Sequence, residues 1–275
     1  MNDDSKALCK AYLAYLRLGN EVLEKPDFRV IRNNKTPLVW DANHLQIGPE
    51  DTEADADQAL AFLEAELGHH KHRQIAATPF LAPPLAARLA LENYEPTPTL
   101  QSLLTGSLEG PTPGACDIRP VASAEEWALL DQLARLDHQE QNDKNGNTLL
   151  SQEFTTQKQT HRYALCEEGV GFFLAWSEGK AIAFFSSWPG PESPAAIAPG
   201  IGRVGMVEDL FTHPDHRGRG IARALIHHCV ADARLRGADA VLIGAEVDDS
   251  PKAIYAAMGF APTCLTQDWR RLTAA

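Results

Sequence analysis

The sequence has little of what marks secreted, metal-binding or nucleic-acid-binding proteins. Its five cysteines are odd in number and far apart, and no Cys-x-x-Cys pair occurs, which argues against a disulfide framework and against a zinc or redox site. Lys and Arg number 25 against 37 Asp and Glu, so the net charge is −12, opposite to the basic surface that nucleic acids require. We therefore expect no metal and no nucleic-acid partner, whereas a cationic partner is permitted.

A long apolar run is also missing from the start of the chain. Residues 1–6 are polar and acidic, and the helix-like stretch after them contains charges, unlike a signal peptide or a membrane span. We expect a cytoplasmic protein without a membrane partner. The short tract of His69, His70 and His72 follows Gly68, and we interpret it as an exposed turn rather than a metal site.

What the chain does contain is a basic, glycine-rich segment that follows an apolar strand. Glycines let the backbone turn tightly with its amides pointing inward, and the next helix adds free N–H groups and the positive end of its dipole. Such a loop is a site for an anion, and phosphate is the simplest choice. Neither a Gly-Lys-Ser/Thr ending nor a third glycine is present, which argues against nucleotide triphosphatases and dinucleotide-binding loops. The segment consists of Leu210, Phe211, Thr212, His213, Pro214, Asp215, His216, Arg217, Gly218, Arg219, Gly220, Ile221 and Ala222.

The six residues from Arg217 to Ala222 resemble the acyl-CoA pyrophosphate loop of the GNAT superfamily of N-acetyltransferases, whose motif is Arg/Gln-x-x-Gly-x-Gly/Ala. A second segment, residues 248–260, resembles the family's other signature, a short helix with Tyr255 four residues before Gly259. Many family members have Asn where this chain has Asp248. The resemblance covers about residues 116–271 and implies a mixed α/β sheet, splayed open to receive the pantetheine arm.

Residues 105–114 are rich in Gly and Pro and form the best linker candidate. We predict an N-terminal α/β domain over residues 1–108 and a catalytic GNAT domain over residues 115–275. After the linker, strands alternate with helices, which is typical of a mixed α/β layer structure. A helix is expected over residues 123–138, a polar stretch near residues 142–147 and a second helix over residues 151–161.

The N-terminal part echoes the C-terminal part. Aligning Tyr94 with Phe260 sets Leu89 over Tyr255. The helix-like stretch 56–67 is preceded by Asp51, Thr52 and Glu53 in place of a basic glycine loop. We hypothesise a tandem of two GNAT-like modules, of which the first is a degenerate copy without cofactor. The alternative is an unrelated α/β domain.

The resemblance also implies roles for single residues. Loop amides would hold the pyrophosphate, with Arg217 or Arg219 adding charge-assisted contacts. Backbone groups of Leu210, Phe211 and Thr212 would hold pantetheine and polarise the thioester carbonyl. The hydroxyl of Tyr255 would lie near the CoA sulfur and act as general acid.

An acidic residue on the strand before the loop is the expected general base. Strict alternation along residues 207–212 places Glu208, Leu210 and Thr212 on one face and Val207, Asp209 and Phe211 on the other. One of the two carboxylates should therefore reach the substrate, and we choose Glu208, with Asp209 as the rival.

The function that follows is an acetyl-CoA-dependent N-acetyltransferase in which a primary amine attacks the thioester directly within a ternary complex. Acetyl-CoA is the co-substrate, and no metal is expected. A non-catalytic acyl-CoA-binding sensor or scaffold is the alternative, and another acyl group or a hydroxyl acceptor would keep the enzyme but change its chemistry. Small-molecule and peptide amines both fit. The acceptor should be bound by residues 137–160 and 188–202, which carry no known motif, and no feature indicates the oligomeric state.

Overall fold

The structure is a computed structural model that describes residues 3–50, 55–110, 116–192, 198, 200–248 and 251–272. Its strands join into one sheet of eleven. The strands are β1 (Glu21–Glu24), β2 (Arg29–Arg32), β3 (His44–Ile47), β4 (His72–Ala77), β5 (Glu95–Leu104), β6 (Asp117–Pro120), β7 (Gly171–Ser177), β8 (Lys180–Trp188), β9 (Val204–Thr212), β10 (Ala240–Glu246) and β11 (Ala261–Leu272).

The described residues also form seven α-helices, which pack against this sheet. Side-chain caps fix several of their starts: Ser123 and Glu126 form a capping box, and Ser151 accepts from the Phe154 N–H. The helices are α1 (Asp3–Tyr15), α2 (Ala56–Leu67), α3 (Pro83–Leu91), α4 (Ala124–Asn145), α5 (Gln152–Glu167), α6 (Ile221–Leu235) and α7 (Pro251–Ala256). None of these described helices is both long enough and apolar enough to cross a membrane.

The order of elements repeats within the chain. The series β1-β2-β3-α2-β4-α3-β5 is matched by β7-β8-β9-α6-β10-α7-β11. In each series the first three strands are antiparallel, and a helix then connects two parallel strands, β3 with β4 and β9 with β10. The hypothesis of two GNAT-like modules is therefore confirmed at the level of topology.

The turn that ends each repeat also has matching geometry. Asn93 and Gly259 both have positive φ, 60° and 90°, at the position that follows the short helix. The next residue in each repeat, Tyr94 or Phe260, is buried, at 4% and 2% exposure. Asn is one of the few residues besides Gly that tolerates the left-handed region, which explains how both sequences make the same turn.

The last strands of the two repeats are exchanged. The sheet order is β1-β2-β3-β4-β11-β5-β10-β9-β8-β7-β6, so β11 pairs with β4 and β5 pairs with β10. The two exchanged strands also pair with each other, antiparallel. Each half of the chain thus completes the other half's sheet, and the predicted linker between the halves lies partly outside the described residues, at residues 111–115.

The apolar core lies on both faces of this sheet. On one face α1, α4 and α5 pack against the central strands, and on the other face α6 packs against β7 to β10. A third cluster joins α2 and α3 to the N-terminal strands and includes Trp269 of β11. Burial of this kind is the main favourable term in folding.

The expected exposed turn at the histidine tract is wrong for two of its residues. His70 and His72 are only 4% and 3% exposed. The ring of His70 donates from Nδ1 to the Pro37 carbonyl (3.0 Å), and His72 donates from Nε2 to the Asn43 carbonyl (3.1 Å). These partners allow the imidazoles to enter the core, because buried polar groups are stable when hydrogen-bonded. Over the described residues, no group of three or more His, Cys, Asp or Glu is placed to hold a metal ion.

Candidate active site

A β-bulge in β9 sets the direction of both acidic residues. The ladder with β8 pairs Ser186 with Glu208 and Phe184 with Phe211. The single residue Phe185 of β8 therefore lies opposite two residues of β9, Asp209 and Leu210. Asp209 has φ 66°. Such a bulge adds one residue to a strand and turns the following side chains to the other face.

The predicted alternation is therefore wrong beyond Glu208. Phe211 packs in the same cluster as Met206, whereas Leu210 packs in the cluster of Val207. Glu208 and Asp209 both line one cavity of about 610 Å³. The expectation that only one of the two carboxylates reaches the cavity is wrong, because the bulge turns Asp209 toward it as well. The sequence has no glycine at this position and so gave no sign of the bulge.

The cavity opens where β9 and β10 separate. Their parallel ladder ends at the pair of Val207 and Ile243, although both strands continue. Beyond that pair, residues 208–210 and 244–246 line the cavity from opposite sides. The expected splayed sheet is confirmed, and the separated backbone edges offer hydrogen bonds to an extended ligand.

The glycine-rich loop has the geometry of an anion site. Gly218 and Gly220 have φ 74° and 80°, and apart from their chain neighbours no described residue has an atom within 4 Å of where their Cβ atoms would be. Gly220 is the N-cap of α6 and provides no side-chain cap, which leaves the first N–H groups of the helix for another acceptor. The loop therefore fits a pyrophosphate group.

The two loop arginines hold the loop itself. Arg217 donates from Nη1 to Glu140 on α4 (3.0 Å) and from Nε to the Thr212 carbonyl (2.9 Å). Arg219 donates to the Asp215 carbonyl (3.0 Å). These contacts fix the path of the chain between β9 and α6.

Tyr255 and Glu208 are brought to the same cavity from different elements. Tyr255 lies on α7, is 5% exposed and has its ring 6.2 Å from that of Phe260. Both residues line the cavity that the splayed strands open.

The environment of Glu208 favours its neutral form. Burial raises the pKa of Glu208 to about 8, and the negative charges of Asp209 and Asp41 act in the same direction. Lys158 opposes them. A carboxyl group with this pKa exchanges a proton near neutral pH, as a general base must.

Asp209 has the opposite character. Its carboxylate accepts from Arg162 Nε at 3.0 Å, and the Arg162 side chain is 1% exposed. Burial acts to raise the pKa of Asp209, but the charges of Arg162 and Lys158 outweigh it and hold that pKa well below its ordinary value. Asp209 therefore stays ionised as the partner of a buried arginine, whereas Glu208 can change its charge near neutral pH.

Sequence reasoning missed the contribution of the N-terminal half. Tyr12 and Tyr15 of α1, and Asp41 from the connection before β3, line the same cavity as Glu208. Asp41 accepts from Lys158 Nζ of α5 at 2.7 Å. The exchanged strand β11 adds Asp268 and Arg270. Asp268 and Arg270 are two residues apart, a spacing that places both on one face of a strand, and this spacing was the available signal.

Only one of the two predicted acceptor segments lines the cavity among the described residues. Part of residues 137–160 does line the cavity, including Asp137 and Lys158. Trp188 instead is 4% exposed and packs in the core, with its ring 5.7 Å from that of Tyr15. A role for Trp188 as a cavity wall is wrong, since its large apolar ring is covered by α1. Residues 193–197 and 199 lie outside the described part.

The structure thus combines a splayed mixed sheet, a glycine-rich loop with the geometry of an anion site, and a cavity lined by Glu208 and Tyr255. The model of the acetyltransferase (GNAT) family matches residues 127–260. Residues 127–260 thus form a domain of the GNAT family.

Comparisons with individual proteins agree. The mycothiol acetyltransferase of Geodermatophilus obscurus is 35% identical over 108 residues, 37% of this chain and 32% of that protein, so the chain spans about a third of its curated relative. A GCN5-related N-acetyltransferase from Kribbella flavida superposes with a TM-score of 0.64 at 16% identity, over 98% of this chain and 96% of its own. A tandem GNAT protein from the clavulanic acid biosynthesis pathway gives 0.53 at 14% identity, over 100% and 97%. These structural likenesses concern the fold alone.

Proposed function

We propose that the protein is an acetyl-CoA-dependent N-acetyltransferase that acts on a primary amine within a ternary complex. The observation that carries this proposal is the convergence of Glu208 and Tyr255 on one cavity that extends to Arg217 at the start of the glycine loop. Similarity to a mycothiol acetyltransferase supports a small-molecule acceptor.

The binding roles follow from the backbone. The amides of Gly218, Gly220 and the first turn of α6 would hold the pyrophosphate. The separated edge of β9 at residues 210–212 would hold the pantetheine arm, beside the Tyr255 hydroxyl. When bound, acetyl-CoA supplies the acetyl thioester. Holding both reactants in one cavity lowers the entropic cost of their encounter.

The proton roles follow from the electrostatics. Glu208 accepts a proton from the acceptor ammonium, and the free amine then forms the C–N bond as the C–S bond breaks. Tyr255 donates its proton to the departing thiolate, the attacking nitrogen loses its extra proton to solvent as the amide forms, and Tyr255 is reprotonated from solvent. The products are an amide and a thiol, and Glu208 returns its proton to solvent.

We infer a different role for the N-terminal half. The residue after the last ladder pair is Glu208 in β9 but Gly48 in the equivalent position after β3, and Leu89 stands where Tyr255 does. Residues 1–108 would then be a degenerate module and residues 115–275 the catalytic one. The cytoplasmic location stays a prediction.

Calorimetric titration with acetyl-CoA tests the proposal. We expect one site per chain, lost in Gly220→Glu, whose added charge would lie in the anion site. Gly179→Glu is the matched control, since Gly179 also has positive φ (77°) and open space at its Cβ but lies in the β7–β8 turn. Two sites would contradict the degenerate module. Binding without thiol release on any amine would favour the sensor, and no binding would overturn the proposal.

A further inference from the structure

Asp268 occupies a part of the cavity that the reaction does not use. It lies on β11 directly opposite Thr97 of β5, and both residues line the cavity. Glu246, at the end of β10, and Trp40, from the N-terminal half, line it as well. We call Asp268, Thr97, Glu246 and Trp40 the Asp268 subsite.

The carboxyl group of Asp268 has an unused acceptor. Its Oδ1 atom is buried and has no hydrogen-bond partner among the described residues. Burial raises the pKa of Asp268 to about 7, and the charges of Asp41 and Glu246 add to this effect, while Arg270 opposes it. A buried polar atom without a partner is costly, so a ligand that donates a hydrogen bond there would be stabilised.

The cations of the cavity have other partners. Seven carboxylates and four Lys or Arg side chains line it. Lys158 pairs with Asp41 and Arg217 with Glu140.

Arg270 makes its contacts with other residues. Its guanidinium lies 3.8 Å from the centre of the Trp40 ring, and its Nε donates to Gln74 (2.9 Å). Its charge lowers the pKa of Asp268, but among the described residues it forms no salt bridge with that carboxyl group. An organic cation would supply Asp268 with both a paired charge and N–H donors.

We propose that the acceptor is a diamine, whose second ammonium group is bound by Asp268 while its first amine is acetylated at Glu208. This inference rests on the proposed function. The second ammonium donates to Asp268 Oδ1 and to the Thr97 hydroxyl, keeps its proton and takes part in no bond change. The acetylated product retains one positive charge.

The test measures CoA thiol release with linear α,ω-diamines of increasing length, with monoamines of the same length and with ω-amino acids. We expect kcat/KM for the best diamine to exceed that of its monoamine about tenfold, as for a hydrogen bond to a charged group. In Asp268→Asn this preference should fall about tenfold, mainly through KM. Asp57→Asn, at an exposed carboxylate of α2, is the control and should keep the preference.

The outcomes separate the two proposals. No thiol release from any amine would overturn the proposed function itself. Release without a diamine preference would leave that function in place and overturn the inference. A preference for ω-amino acids would assign the end of the cavity to Arg270 and a carboxylate, also against it. An equal loss on diamines and monoamines in Asp268→Asn would show a structural role instead.

Discussion

The two repeats share a topology but differ at the positions where chemistry occurs. Both have a pair of parallel strands joined by a helix and then a second, short helix, and both bury the residue at the short-helix position equivalent to Tyr255. In the first repeat that residue is Leu89, and Gly48 follows the last ladder pair where the second repeat has Glu208. The comparison teaches that packing alone maintains this fold, whereas the site depends on a few polar side chains placed at the opening of the sheet.

The first repeat is nevertheless part of the site. Exchange of β5 and β11 brings Asp268 and Arg270 next to the N-terminal strand β4, and α1 covers the cavity with Tyr12 and Tyr15. The N-terminal half therefore supplies walls and charges to a cavity whose proposed proton-transfer groups come from the C-terminal half.

Replacing the proposed base should give the largest effect. Glu208→Gln should lower kcat about 10²–10⁴-fold, because it removes the proton acceptor without changing the shape of the side chain. The matched change in the first repeat is Glu50→Gln, an exposed carboxylate after β3 that pairs with Lys10 (2.8 Å), and it should leave kcat within about twofold. Steady-state thiol release measures both. Full activity in Glu208→Gln would transfer the role to Asp209.

The same variant has a consequence for stability. The pKa of Glu208 rises from 4.5 to about 8 on folding, so between these values the native state binds more protons than the unfolded state. The free energy of unfolding should then fall as the pH rises through this window, and Glu208→Gln should remove that part of the slope. Urea unfolding at several pH values checks the sign.

Replacing the proposed acid should give a smaller and more selective effect. Tyr255→Phe keeps the buried ring but removes the hydroxyl. Leu89, at the equivalent position of the first repeat, also has no hydroxyl. We expect kcat to fall about 10²-fold with little loss of acetyl-CoA affinity, because the proton is needed only as the thiolate departs. Calorimetry and steady-state kinetics separate the two quantities. Unchanged turnover would show that Tyr255 has a packing role only.

Local signals explain what the sequence could predict. The glycine loop, the segment around Tyr255 and the alignment of Tyr94 with Phe260 each lie within a short stretch. The alignment indicated the repeat, and the resemblance to the GNAT family that the first two segments carry implied the splayed sheet. Helix ends were less accurate. The helix predicted over residues 123–138 continues to Asn145, because the polar stretch after it remains helical until Gly146, at φ 61°.

Long-range features could not be predicted in this way. Nothing local distinguishes β5 from β11, so their exchange depends on the whole sheet. The bulge at Asp209 lacks the glycine that marks many bulges. Asp41 and Lys158 are 117 residues apart, and only the folded chain makes them partners.

The smallest expected effect concerns the pKa of Glu208, the proposed base in the second repeat. It tests whether the charge of Asp41 in the first repeat changes that pKa. Asp41→Asn removes a charge that raises the pKa of Glu208 and releases Lys158, whose charge lowers it. The pH midpoint of kcat/KM, which we expect near 8 in the wild type, should therefore move down by about one unit. Lys158→Met should move it up. Comparing variants on one acceptor cancels the titration of the acceptor itself.

Lys180→Met is the matched control for the change of charge, since Lys180 is exposed at the first residue of β8 and should leave the midpoint in place. Opposite shifts in the two cavity variants require that the ion pair acts on Glu208 through its charges, because loss of structure would lower activity in both without moving their midpoints apart. Shifts in the same direction, or none, would show that the first repeat contributes only walls to the cavity and that the charge of Asp41 has no part in catalysis.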